Sequence, residues 1–190
     1  MEESKKQNPF ILGLKDGIPI FLGYLSIAFA FGIFSVNSGL TVLETVLVSM
    51  LNVTSAGQLA AVPIITAGGS LIELACSQLV INMRYALMSI SLSQKVDNSM
   101  TKLHRAVMSF INTDEVFAVA SSKEGSVGRK YLYGLIILPW LGWSSGTLLG
   151  AVAGDILPEI ITSSLSIAIY GMFVAIVVPS AKRSKPIAFC

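Results

Sequence analysis

The stretch Asn52-Val53-Thr54-Ser55-Ala56-Gly57-Gln58, NVTSAGQ, lies at the middle of an apolar run covering residues 42–66, with Pro63 close behind it. Its reading decides the fold. Seven mostly polar or small residues at that depth imply a helix that stops and restarts, and non-helical backbone inside a bilayer is tolerated only within protein or against a water-filled cavity. Interrupted segments of this kind are the best sequence pointer to a transporter's binding site. The alternative is one kinked helix whose Asn, Thr and Ser bond to its neighbours. Asn52-Val53-Thr54 also fits the glycosylation sequon, but that motif belongs in an exposed loop and is set aside.

The rest of the chain makes a membrane the natural setting. Of 190 residues, 53% are hydrophobic and only 13% charged, with a mean hydropathy of +0.73, whereas a soluble domain carries roughly 25% charged residues. The net charge of +2 is too mild for nucleic-acid binding. Cys76 and Cys190 have neither zinc-ligand nor redox-motif spacing, so no metal and no cofactor is expected. Ala28-Phe29-Ala30 imitates a signal-peptidase site behind Lys5, Lys6 and Lys15. The apolar pattern continues to Val36, so the segment reads as a span.

A span needs about 20 mostly apolar residues. Five runs come close: 17–36, 42–66, 71–93, 131–153 and 160–179. A sixth, 106–120, is shorter and contains Asp114 and Glu115. The expected fold is therefore all-α, a single polytopic membrane domain over residues 1–190 with five to six membrane segments and a cytoplasmic N-terminal stretch, 1–15. Basic residues collect on the cytoplasmic side. They cluster at Lys5, Lys6 and Lys15, at Lys95, Lys102 and Arg105, at Lys123, Arg129 and Lys130, and at Lys182, Arg183 and Lys185. If every long run crossed once, the Lys95 cluster would fall outside. The conflict disappears if 42–66 and 106–120 are each broken and return the chain to the side they entered from.

Thr41-Val42-Leu43-Glu44 and Ser70-Leu71-Ile72-Glu73 match the capping box, which explains both glutamates as helix starts. Arg84 has no such explanation. It sits deep in its segment, where a cation costs from roughly 3 to more than 10 kcal/mol. At 100° per residue, Ser77, Arg84 and Ser91 share one face, while Gln78, Asn82 and Ser89 lie on another. Both faces are expected to meet protein or water, leaving lipid little of this helix. Asp114 and Glu115 are the natural counter-charges, since intramembrane charges pair or line a pathway. The competing reading puts Thr113-Asp114-Glu115 in a solvated loop, and His104, beside Lys102 and Arg105, reads as a loop residue. Gly142, Gly146, Gly150 and Gly154 form a packing stripe for another helix of this chain or for a partner, which leaves a homo-oligomer open. Pro19-Ile20-Phe21-Leu22-Gly23-Tyr24 is weakly echoed by Pro139-Trp140-Leu141-Gly142-Trp143. With both spans starting from the cytoplasm, that echo alone is not an inverted repeat.

In their order and spacing these features resemble the AzlC-type branched-chain amino-acid permease family, along most of the chain. Gly17, Pro19, Gly23, Tyr24 and Gly32 are similar to its first span, Gln58 to its interrupted second span, and Asn82-Met83-Arg84 to its Asn-x-Arg-His motif. Thr113-Asp114-Glu115 is similar to its Thr-Asp-Glu motif, and Trp143 to Gly154 to its Gly-Thr-rich span. Thr54-Ser55-Ala56-Gly57 stands where the family usually reads Ala-Gly-Ser-Ala, and Tyr85 replaces the common histidine. The chain ends at Cys190, where members usually continue with further hydrophobic segments, so it reads as a truncated or a divergent member.

The resemblance implies export of leucine, isoleucine and valine across the bacterial cytoplasmic membrane, driven by the proton gradient, with a small AzlD-type membrane subunit as partner. A zwitterion with an aliphatic side chain needs an anion site, a cation site and an apolar pocket. Arg84 and the free N–H groups near Ser55, Ala56 and Gly57 are the candidates for the carboxylate. Asp114 or Glu115, or carbonyls freed by the break, would take the ammonium, and the two acids are also the candidates for carrying a coupled proton. Asn52, Gln58 and Asn82 would orient the ligand. Met83, Leu87 and Met88 could wall its apolar part. A non-transporting structural subunit and a passive channel are the rivals. An intramembrane enzyme finds no nucleophile–base or metal-ligand spacing to rest on.

Overall fold

Asn8 opens the first helix by accepting from the Phe10 amide, with Pro9 in the position where a missing N–H costs nothing. The computed structural model describes residues 8–156. Among them seven helices follow one another: α1 (Pro9–Asn37), α2 (Val42–Leu51), α3 (Ser55–Thr66), α4 (Leu71–Ser93), α5 (Lys102–Phe110), α6 (Asp114–Ser122) and α7 (Arg129–Ile156). The protein is all-α. Helices α1 and α7 are long and apolar enough to cross a membrane. At 1.5 Å per residue the 23 residues of α4 also reach across a hydrocarbon core, although its polar faces lower its hydropathy. The expected run at 160–179 and the Lys182 cluster lie outside the described residues.

Both suspect runs are broken. The run 42–66 is α2 and α3, separated by Asn52-Val53-Thr54. The run 106–120 belongs to α5 and α6, separated by Ile111-Asn112-Thr113. Each helix of these pairs is half the length a span needs, and each pair returns to its side of entry. Val62 of α3 packs with Phe31 and Leu40, at the end where α1 finishes and α2 begins. Ser121, near the end of α6, accepts from Lys95 at the end where α4 finishes and α5 begins. The capping box of Thr41 and Glu44 is complete, and Ser70 accepts from the Glu73 amide, so both glutamates start helices at the interface.

Helices α1 and α7 run parallel in close contact, so the chain crosses in the same direction at its beginning and at residue 129. Glycine is what permits this. A Cβ on Gly142 would lie 2.7 Å from the Phe21 carbonyl oxygen, one on Gly146 2.5 Å from that of Leu25, and one on Gly154 3.1 Å from Ile33 Cα. Gly150 faces the Phe29 backbone in the same way. The four-residue stripe therefore seats on α1, and Gly13, Gly17 and Gly32 return the contact. In lipid, close backbone packing of this kind takes the place of a hydrophobic drive between helices.

With α4 running opposite to α1 and α7, the described basic residues Lys15, Lys95, Lys102, Arg105, Lys123, Arg129 and Lys130 gather at one end of the molecule, leaving only Arg84 within the bundle. The loops at the other end, 38–41 and 67–70, carry none. By the rule that basic residues collect inside, this end is the one expected to face the cytoplasm.

The order of elements contains a symmetry that the sequence had hidden. Span α1 is followed by a hairpin entering from the side on which α1 ends, and α4 by a hairpin entering from the opposite side. The two units share one order of elements in opposite orientation. At a separation of sixty positions Ser49 falls opposite Ser109 and Asn52 opposite Asn112, near the tips of the hairpins. The echo between α1 and α7 has twice that separation and joins two parallel helices.

Helix α4 departs from expectation. Leu79, Val80, Met83, Leu87 and Ile90 are all well exposed and fall within about 100° of arc, so a broad apolar strip remains between its two polar faces. His104 also differs. It is part of α5, and its Nδ1 lies 2.9 Å from the Tyr133 hydroxyl, so it is not a loop residue.

Candidate functional site

The two hairpin tips meet at mid-depth around a cleft lined by Val53, Thr54, Ser55, Thr113, Asp114 and Glu115, with Arg84 and Tyr85 from α4. Tyr24 of α1 and Trp143 of α7 form the remaining wall, their rings packed edge to face with centroids 5.0 Å apart. Both aromatics are nearly fully buried. The Tyr24 hydroxyl lies 2.6 Å from Thr113 Oγ1 and also contacts Glu115 Oε2.

Arg84 Nη1 and Asp114 Oδ2 are 2.8 Å apart, and their side chains keep 52% and 47% of their surface open. This ion pair joins α4 to the start of α6. The guanidinium also lies over the Tyr85 ring, 5.0 Å from its centroid, an arrangement that holds a cation against an aromatic face.

The two tips are electrostatic opposites. Helix α6 opens with Asp114 and Glu115 in its first turn and is capped by Thr113, whose side chain accepts from the Val116 amide. Its positive end is already answered by acid. Helix α3 opens after Thr54, which makes no side-chain cap bond, and has no acid in its first turn. Thr54 Oγ1 is buried there without a hydrogen-bond partner among the described residues. Trp143 Nε1 on the adjoining wall is in the same condition. Buried polar atoms nearly always have partners, so this corner offers donors and an acceptor toward the cleft.

Of the residues singled out from sequence, Ser55, Arg84, Asp114 and Glu115 come together here. Asn52, Gly57 and Asn82 gather instead around Gln78. Its Nε2 donates to the Gly57 carbonyl at 2.8 Å, while Asn52 Nδ2 and Asn82 Nδ2 donate to its Oε1 at 3.1 and 3.2 Å. This amide network pins the two sides of the first break to α4. Ala56 and Gln58 lie one step behind the cleft wall. The Gln58 side chain is fully buried, with neither amide atom paired among the described residues. Gly142, Gly146, Gly150 and Gly154 do not line the cleft, although Trp143 between the first two does, and they bind α7 to α1. Among the described residues no group of three or more His, Cys, Asp or Glu converges as a metal site would require.

Sequence reasoning missed Tyr24, Tyr85 and Trp143 as wall residues and Gln78 as the network's centre. The available signal for Gln78 was its position, three to five residues from the center of a segment already too polar for lipid on that face. For the aromatics there was none, because a buried aromatic beside a cleft and one inside a core have the same sequence appearance.

Three full-length helices, two inverted half-length hairpins and a charged meeting point at mid-depth define a polytopic helical membrane protein with a polar site inside the bundle. The chain belongs to the AzlC family: residues 19–157 match the family described as AzlC protein. Inner membrane protein YgaZ of Escherichia coli is 29% identical over 183 residues, covering 93% of this chain and 75% of the relative. A membrane protein of Archaeoglobus fulgidus is 29% identical over 184 residues, covering 96% and 80%. One of Helicobacter pylori is 27% identical over 153 residues, covering 77% and 66%. No solved structure matches.

Proposed function

We propose that this chain is a carrier that exports branched-chain amino acids through the bacterial cytoplasmic membrane, coupled to the proton gradient and acting with a small AzlD-type subunit. The observation that carries the reading is the pairing of opposite hairpin tips. One presents uncapped backbone N–H groups with no acid, the other two carboxylates, and Arg84 stands between them. A zwitterion satisfies both. Its carboxylate goes to Arg84 and the start of α3, where partial positive charge is concentrated, and its ammonium to Asp114 or Glu115. Tyr24, Tyr85, Trp143 and Val53 offer apolar surface for an aliphatic side chain. Asp114 and Glu115 are the groups assigned to the coupled proton, and the resemblance to the permease family supplies the direction and the subunit.

The test is efflux of leucine, isoleucine and valine from cells loaded with these amino acids, expressing the chain with and without a candidate small subunit. Accumulation outside against a gradient, abolished by collapsing the proton gradient, is the expected result. Efflux equal to that of cells lacking the chain overturns the transport reading, and downhill movement alone makes it a channel.

A further inference from the structure

A second cavity, of about 450 Å³ of open space, lies on the cytoplasmic side of the central cleft between α4, α5 and the start of α7. Its lining mixes apolar Leu92, Met108 and Leu132 with polar Ser89, Ser109, Asn112 and the cation Arg105. Between it and the cleft is a small pocket that shares Ser109 and Asn112 with the cavity and Val53, Tyr85 and Thr113 with the cleft. The three are linked by these shared lining residues. Asn112 Nδ2 donates to Ser89 Oγ at 3.2 Å. Asn112 is 4% exposed, and its Oδ1 has no partner among the described residues. Buried polar atoms nearly always have partners, so the spare acceptor of Asn112 between the pockets asks for a polar occupant.

The inverted repeat supplies an internal comparison. Ser109 lines the cytoplasmic cavity, and its counterpart sixty positions earlier is Ser49. Ser49 is completely buried, with its hydroxyl 2.7 Å from Thr147 Oγ1 of α7. The counterpart of Leu92 is Gly32, whose backbone is packed directly against Thr147 and Ala151. Among the described residues, open space therefore lies beneath the second hairpin where the first is packed against α7.

We propose that the cytoplasmic cavity is the route by which an amino acid passes between the cytoplasm and the central cleft, and that the Ser49–Thr147 seam is the closed form of the equivalent route on the far side. The structure is then the cytoplasm-open state of an alternating pair. The mixed apolar and polar lining suits a solute with a charged end and an aliphatic end. The proposal rests on the carrier reading for its solute but not for its geometry.

Thiol labelling tests it in the full-length chain with Cys76 and Cys190 changed to Ser. Ser109→Cys and Ser49→Cys are compared using a membrane-impermeant maleimide on inside-out and right-side-out vesicles. Ser109→Cys is expected to react from the cytoplasmic side at least tenfold faster than Ser49→Cys reacts from either side. Comparable rates, or a Ser109→Cys that reacts only after denaturation, overturn the route. If Ser109→Cys fails to insert, Ser93→Cys, in the same cavity lining, carries the same expectation. Labelling requires no transport. A reactive Ser109→Cys in a chain without efflux overturns the carrier reading alone, whereas efflux with an unreactive Ser109→Cys overturns the route alone.

Discussion

Removing the charge of Arg84 separates its structural from its functional contribution. In Arg84→Gln, Asp114 and Glu115 remain at the start of α6 with the 2.8 Å pairing lost. An unanswered charge at the centre of a span costs about 3 kcal/mol on insertion scales, and breaking a buried pair costs about 3–5 kcal/mol. Half of each side chain is open in the structure, which places the loss nearer the lower end, at about 2–3 kcal/mol. The double variant Arg84→Gln/Asp114→Asn removes both charges and is expected to recover most of that stability, because no partner is stranded. It is not expected to recover transport. Truncating one member of a hydrogen-bonded charge pair between protein and ligand costs at least about 2 kcal/mol, or roughly 30-fold in affinity. The assays are denaturant unfolding in detergent micelles and concentration-dependent leucine efflux, run on the wild type, both single variants and the double variant. A double variant that exports leucine at the wild-type rate and affinity would refute the assignment of the carboxylate to Arg84. So would an Arg84→Gln that loses neither stability nor transport.

Gln78→Ala removes two hydrogen bonds to the first break, with Asn52 and Gly57, and one within α4, with Asn82. Interhelical polar contacts in membranes average about 0.6 kcal/mol each, so a loss of about 1–2 kcal/mol in unfolding free energy is expected; no measurable loss would make the network incidental. Cysteines introduced at Ser38 and Gly68 are expected to label from outside the cell and those at Asn98 and Ser126 from the cytoplasm. An outward-facing position 98 would mean that the run 42–66 crosses the membrane.

Both hairpins were legible because lipid enforces the rule that exposes them: a bilayer offers no partner for Asn52, Thr54, Asn112 or Thr113, so their clusters had to mark interruptions. Basic residues then fixed which way the chain turned back. The inverted repeat was not legible. Its copies retain few matching residues, such as Ser49 with Ser109 and Asn52 with Asn112, since lipid-facing positions accept any apolar side chain and the hairpin tips have diverged to opposite charge. The more visible echo, from Pro19 to Pro139, links parallel helices and led away from it. At the site, Arg84, Asp114 and Glu115 stood out by charge, whereas Tyr24 and Trp143 carried no signal that distinguishes a cleft wall from a core. Asn52 and Asn82 had the composition of ligand contacts, but Gln78 lies within reach of both and accepts from each.

The glycine-lined contact between α1 and α7 constrains biogenesis. About 120 residues separate the two surfaces that meet in it, and at about 5–20 residues per second the ribosome needs on the order of ten seconds to make that length. During that interval α1 stands in the bilayer with its matching groove unfilled and Tyr24 without Trp143. Lipid tails or another helix fill that groove until α7 emerges, so chains ending before residue 129 are expected to lack the α1–α7 contact and to be less stable in the membrane.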